Sequence, residues 1–374
     1  MTADRASSDT AFVPRGLSSW SAWASAVAFF LAGAFPLFNA DAYGHLAQGR
    51  QIVALGRVPK VDLFSFWKPE PQPWSNYEWG YDWLSWLAYD HLGANALVLA
   101  KCFALAVLGY LLVALAFRLA REAQSAGPLA LTALLLALPV ARFRFTVRPQ
   151  IVGLVFPAIL LIGISTLYSD STTLRRRQWT LAGLGALHVL WVNMHGSHLF
   201  GVVIAVLFTV FAARTAALRW MVGLVALQLA ATVCTPFGLG IATDAIAHVL
   251  RPEYRELVVE WAAWSPEDPL RLLVAPIIMA SSVLVAVRPV ARESRYGLAY
   301  AALCVVLSIT PTPVLRAIRG GRVGSASGVR RPSSWWACIG GRGCVDRRPL
   351  DDAARSGARL RVRRTKARIP MGLG

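Results

Sequence analysis

Apolar runs follow one another along this chain, and the short loops between them alternate in character. One set of loops is rich in arginine and otherwise plain: Arg118 and Arg121, then Arg175, Arg176 and Arg177, then Arg214 and Arg219, then Arg288, Arg292 and Arg295. The other set holds Asp41, His45, Glu78, Arg148, Asn193, His195 and Glu260. Lys and Arg in short loops between membrane spans stay cytoplasmic, so the first set marks the inside. The second set therefore gathers at the outer face, where side chains from distant segments can meet.

Composition agrees. Only 16% of the 374 residues are charged and the mean hydropathy is +0.50, whereas a soluble domain carries about a quarter charged residues. The expected spans are Trp20–Phe38, Ala94–Phe117, Ala126–Ala141, Pro149–Tyr168, Trp179–Met194, His198–Ala213, Trp220–Ile241, Leu272–Val287 and Tyr296–Pro311. Several fall short of the roughly 20 residues a spanning helix needs, so their ends extend into polar flanks. The first run has the look of a signal-peptide core, but the spans that follow it read as a retained helix. The expected fold is all-α: a polytopic transmembrane helical bundle of about nine spans, with interfacial helices in the first outer loop. Residues 1–19 form a cytoplasmic N-terminus, 20–311 the membrane domain and 312–374 a tail.

The net charge of +18 comes mostly from that tail. After Pro311 there are 15 Lys and Arg against 3 Asp and Glu, a net of +12, which leaves +6 for the rest of the chain. The membrane domain therefore shows no nucleic-acid footprint. The tail lacks apolar periodicity and is dense in Arg, Gly, Ser and Pro. It reads either as a basic arm touching anionic headgroups or polymer, or as an abrupt change of reading frame that replaces further membrane helices. Cys102, Cys234 and Cys304 fall in apolar runs, and Cys338 and Cys344 have no second pair, so neither a disulfide framework nor a zinc site is expected.

The first outer loop, Asn39 to Leu92, is the longest between spans. Apolar residues return at helical spacing from Ala42 to Leu55, which predicts a helix along the interface with Asp41 at its N-cap. Asp41 is there either as a cap or as a general base or metal ligand at the membrane surface. His45 lies four residues on and shares its face, so the two can share a metal or a phosphate. From Trp74 to Trp86 the loop is crowded with aromatic rings, which collect at interfaces whatever the function and also make a wall for a sugar. Glu78 and Asp82 are one turn apart, and either is a catalytic candidate.

Arg142, Arg144 and Arg148 break the charge pattern by lying on the outer side. They either snorkel to headgroups or hold a phosphate through the bidentate guanidinium fork. Lys101 sits inside the second span near its outer end, where an ionisable group usually faces the bundle interior, and it is a second candidate for anion binding. Trp191 to His198 connects two spans and carries Asn193, His195 and His198; His195 can protonate a leaving oxygen, donate to phosphate, ligate a metal, or simply tie the connection together. His188 is expected to pack within the bundle. Thr235 to Gly238 reads as a turn closing the seventh span, and Glu260 as the partner of an outer arginine.

The ordered succession D-A-Y-G-H-L-A-Q-G-R-Q-I-V (41–53), G-R-V-P-K-V-D-L-F-S-F (56–66), N-Y-E-W (76–79), R-P-Q (148–150), W-V-N-M-H-G (191–196), T-P-F-G (235–238) and V-E-W (259–261) resembles bacterial integral membrane proteins of the class C glycosyltransferase superfamily. The resemblance covers about Trp20 to Val287. It implies a polyprenyl-phosphate sugar donor, a lipid or glycan acceptor in the cell envelope, an acidic residue in the first outer loop, and often a divalent metal, Mg or Mn. Asp41 matches that acidic position and Glu78 the acid of the later motif, which places Glu78 ahead of Asp82. Arg148, Asn193 and His195 match polar positions further on. Thr235 departs from the usual Asn, and the tail stands where such enzymes have C-terminal helices.

These readings combine into one expected reaction, inverting hexosyl or uronosyl transfer at the outer face of the bacterial inner membrane. Asp41 would take the acceptor proton, Arg148 with Lys101 and His195 would hold the donor phosphate, and His45 and Asn193 would orient it or hold a metal. The rivals are a transporter or flippase of a lipid-linked substrate, which the absence of an internal repeat disfavours, and a non-catalytic remnant that binds polyprenyl phosphate.

Overall fold

The structure is a computed structural model that describes residues 17–65, 70, 72–119, 126–241 and 243–244. The described residues form nine α-helices, one short 3-10 turn and one isolated bridge between Val61 and Pro73, with no sheet. The expected spans Leu272–Val287 and Tyr296–Pro311, Glu260 and the whole tail lie outside the described residues.

Helix α1, Leu17–Gly33, stops before the expected end at Phe38. Pro36 explains the stop, since it has no amide hydrogen and drives the residue before it out of the helical region. The chain then turns into α2, Ala40–Leu55. Asn39 is the N-cap, its side chain accepting from the Asp41 amide at 3.1 Å. Asp41 thus lies in the first turn and not at the cap, still against the positive end of the helix dipole. Gly56, at φ +61°, ends α2 in the left-handed conformation.

Helix α3, Trp79–Leu92, is separated from α4, Ala94–Leu119, by Gly93 alone. Helix α5, Ala126–Ala141, runs into the 3-10 turn Arg142–Arg144, and α6 follows as Gln150–Tyr168. Helix α7, Leu174–Met194, begins earlier than the expected Trp179. Thr173 caps it by accepting from the Arg176 amide, and arginines are good helix formers. Helices α8, His198–Phe211, and α9, Leu218–Ala231, complete the described set. The turn expected at Thr235 to Gly238 is present, closed by the Gly238 amide on the Thr235 carbonyl at 3.1 Å.

Among the described residues two helices, Ala94–Arg118 and Gln150–Tyr168, are long and apolar enough to cross a membrane. Four shorter helices are also apolar: Trp20–Gly33, Gly127–Pro139, His198–Phe211 and Leu218–Ala231. A helix of 14 residues, such as α8, is about 21 Å long, against roughly 30 Å of bilayer hydrocarbon.

Helix α1 packs along α4 and α5, and α4 against α6; α7 and α8 pack on α9, and α6 on α7. Phe29, Leu105, Phe145 and Ile151 fill the first group, and Ile164, Trp191, Phe208, Met221 and Leu224 the second. The outward faces are apolar too: Leu31 is 64% exposed and Leu136 75%.

Two glycines bring the polar residues of α3 into reach of their neighbours. A Cβ on Gly49 of α2 would lie 2.1 Å from the Asp82 carbonyl oxygen, so α2 and α3 cross in backbone contact. A Cβ on Gly80 would lie 2.6 Å from the Asn193 carbonyl oxygen, so the start of α3 rests on the end of α7. At the opposite end of the bundle, Arg118 donates to the Ile162 carbonyl, Ser165 and Thr166 at the end of α6. Arg177 there donates to the Ser169 carbonyl at 2.6 Å. Among the described residues, Arg118 and Arg177 thus lie at the other end of the helices from Arg148, Asn193 and His195.

Candidate functional site

Asp82 is the anchor of the polar end. It is fully buried in α3, and burial of a carboxylate demands partners for both oxygens. His45 of α2 supplies one, with Nδ1 at 2.7 Å from Oδ1. Asn76 supplies the other, its amide nitrogen donating to Oδ2 at 2.7 Å and to the Gln48 side-chain oxygen at 2.8 Å. Asn76 Oδ1 accepts from the Glu78 amide at 3.0 Å, which fixes the turn into α3.

Glu78 stands between two imidazoles. His45 Nδ1 is 4.0 Å from Oε2, and His195 Nε2 is 3.5 Å from Oε1. His195 Nδ1 accepts from the Ser197 amide at 3.1 Å and faces the Ser197 hydroxyl at 2.7 Å. That hydroxyl in turn accepts from the Trp191 indole at 2.9 Å. With Nδ1 occupied as an acceptor, the network assigns the His195 proton to Nε2, facing Glu78.

Burial pushes the Glu78 carboxyl up to about 7, helped by the Asp82 and Asp41 charges and opposed by His45 and Arg148. His195 is held neutral: burial, with the charges of His198 and His45, brings it down to about 4. Burial also works against a charge on His45, but the Asp82 bond and the charges of Asp82, Glu78 and Asp41 outweigh it and raise its pKa. The result is a charged imidazole, a neutral imidazole, and between them a carboxyl poised to gain or lose a proton near neutrality.

Asp41 and Arg148 form an ion pair beside this group, and Arg148 Nη2 also donates to Asn39 Oδ1 at 3.4 Å. Arg148 lines a cavity of about 260 Å³ together with Asn39, Arg144, Thr146 and Gln150. Asn193 is engaged as a clasp: its oxygen accepts from the Trp79 indole, and its nitrogen donates to the Val189 and Cys234 carbonyls, each at 2.8 Å. Lys101 does not join Arg148. It donates to the Phe35 carbonyl at 3.3 Å and lies over the Phe35 ring. His188 is buried, as expected, with its ring against Trp191 and His198.

The structure thus brings Asp41 to Arg148, and Glu78 to both His45 and His195. It sets Asn193 behind them and Lys101 apart. Sequence reasoning weighed Asp82 and set it second to Glu78, and it missed Asn76, Gln48, Ser197 and Trp191 as parts of the network. The one signal in the sequence was that Asp82 lies one turn past Glu78; its approach to Gly49 is seen only in the structure.

Among the described residues no group of three or more His, Cys, Asp or Glu is arranged to hold a metal ion. Magnesium and manganese need several oxygen ligands, yet both Asp82 oxygens are taken and Asp41 is paired. The described donor set does not fit such an ion. No family model matches the chain, and no curated protein or solved structure matches it either.

Proposed function

We propose that this chain is a multi-pass glycosyltransferase of the bacterial inner membrane. It moves a hexosyl or uronosyl group from a polyprenyl-phosphate donor to an envelope lipid or glycan at the outer face. The reading rests on one observation above the others: Glu78, with a carboxyl near 7, held between charged His45 and neutral His195 at one end of an apolar helical bundle. A buried carboxyl that ionises near neutrality costs stability and is suited to proton transfer. The apolar outward faces support the bilayer setting.

In this reaction the acceptor hydroxyl gives its proton to Glu78 as its oxygen bonds to the anomeric carbon. The bond from that carbon to the phosphate oxygen breaks, and its electron pair stays on the polyprenyl phosphate. Arg148, with Arg144 on the same cavity wall, stabilises the charge that grows there. Asp41 holds Arg148 in place, so the geometry favours Glu78 over Asp41 as the base. Asp82 is a positioning residue that keeps His45 charged beside Glu78, and no step is routed through a metal.

Native mass spectrometry of the detergent-purified protein tests the donor assignment. A bound polyprenyl-phosphate sugar in the wild type, lost in Arg148→Ala, is the expected result. Absence of such a lipid from the wild type, or equal retention by both proteins, would overturn it.

A further inference from the structure

We propose that Lys101, Arg142 and Phe35 form the headgroup site of a phosphate-bearing membrane lipid whose hydrocarbon lies in the adjoining apolar cavity. The site is separate from the Arg148–Asp41 pair and goes beyond the glycosyl-transfer reading, from which it takes only the bilayer setting.

Lys101 is 96% buried in α4, being 4% exposed. Its ammonium nitrogen lies 3.6 Å from the centroid of the Phe35 ring and donates to the Phe35 carbonyl at 3.3 Å. The guanidinium of Arg142 lies 5.3 Å from the centroid of the same ring and donates to the Ala32 carbonyl at 3.3 Å. Two cations therefore share one ring, and among the described residues no carboxylate pairs with either.

A ring face and a carbonyl each offset part of a cation's desolvation, but two like charges held together repel. A buried ammonium with no counter-ion is strongly unfavourable, and an ionisable group within an apolar span marks a binding site before it marks a structural one. A phosphate supplies the missing charge and fits both donors: a point contact from Lys101 and a fork from Arg142.

The chain beside these cations says what carries the phosphate. Phe35 also lines a cavity of about 550 Å³, with Phe30, Leu37, Tyr43, Val98 and Leu99 on its walls. Pro36 ends α1, and the non-helical residues Ala34, Phe35, Pro36 and Leu37 line this space. Two cations over the Phe35 ring, and an apolar cavity lined by that same ring, suit an amphiphile with an anionic head better than a free sugar or a free anion.

The test uses the full chain in detergent with three probes, read by native mass spectrometry. Dioleoylphosphatidic acid has both phosphate and chains, dioleoylglycerol has the chains alone, and inorganic phosphate is the head alone. Wild type is expected to retain phosphatidic acid and not dioleoylglycerol, and millimolar inorganic phosphate is expected not to displace the lipid. Lys101→Met and Arg142→Gln should each weaken retention tenfold or more, while Arg175→Gln, at the opposite end, should match wild type. Arg142 is exposed, so its variant keeps the test open if Lys101→Met fails to fold.

Equal retention of phosphatidic acid by wild type and both site variants would overturn the proposal, as would equal retention of dioleoylglycerol. Displacement by inorganic phosphate would overturn the lipid assignment in favour of a free anion. None of these outcomes touches the Arg148→Ala result, so failure here and failure of the donor assignment remain distinguishable.

Discussion

At the scale of single residues, the account turns on a carboxyl that does not suit its place. The folded state holds the Glu78 proton up to about pH 7, whereas an unfolded Glu loses it near 4.3. The folded chain therefore binds the proton more tightly, and stability falls as pH rises through that window. Glu78→Gln cannot ionise, so it should match wild type at pH 4 and exceed it at pH 8 by up to about 3 kcal/mol. Thermal unfolding at the two values checks this, and a variant less stable than wild type at both would make Glu78 a structural residue. Asp82 behaves oppositely. Asp82→Asn removes the charge that offsets the burial of His45, so the His45 pKa should drop below its ordinary value and about 3 kcal/mol of stability should be lost. NMR titration of labelled histidines reads the first effect and thermal unfolding the second; an unmoved His45 resonance would contradict the pairing. Glu78, His195 and Arg148 were legible in the sequence because they sit in short polar motifs between apolar runs. Asp82 was set second because the resemblance matched Glu78, and spacing alone cannot say which of two acids one turn apart faces the neighbouring helix.

At the scale of elements, the site exists because α2 and α3 touch at backbone distance. Gly49 permits that contact, and Gly49→Ala should push the helices apart, costing roughly 1–3 kcal/mol as an overpacked contact does. Gly44, on the same helix, has nothing within 4 Å of an added Cβ, so Gly44→Ala should be neutral or slightly stabilising. Equal effects of the two changes on thermal unfolding would mean that the crossing is not close. Most helices could be read from apolar runs, and α5 begins and ends where expected. The errors have local causes: Pro36 stops α1, and Thr173 starts α7 early. The crossing at Gly49 was invisible in the sequence, because a glycine's meaning depends on what packs over it.

At the scale of the whole molecule, the proposal needs the polar cluster and the arginine-rich turns to lie on opposite sides of a bilayer. Cysteines introduced at Gln72 and at Ser171 test this with a membrane-impermeant maleimide. The first should label in intact cells and the second only after lysis, and labelling of both from one side would contradict the arrangement. The helices are legible in the apolar runs, and loop charge is what proposes their two-sided placement. The separation of Lys101 from Arg148 does not, because it depends on how α1 breaks and where Phe35 lands. The most direct measurement compares the lipids and envelope glycans of native host cells carrying the wild-type gene or Glu78→Gln. The account predicts that the variant loses a product bearing one additional hexosyl or uronosyl unit and accumulates the polyprenyl-phosphate donor. Identical lipid and glycan profiles in the two strains would contradict it.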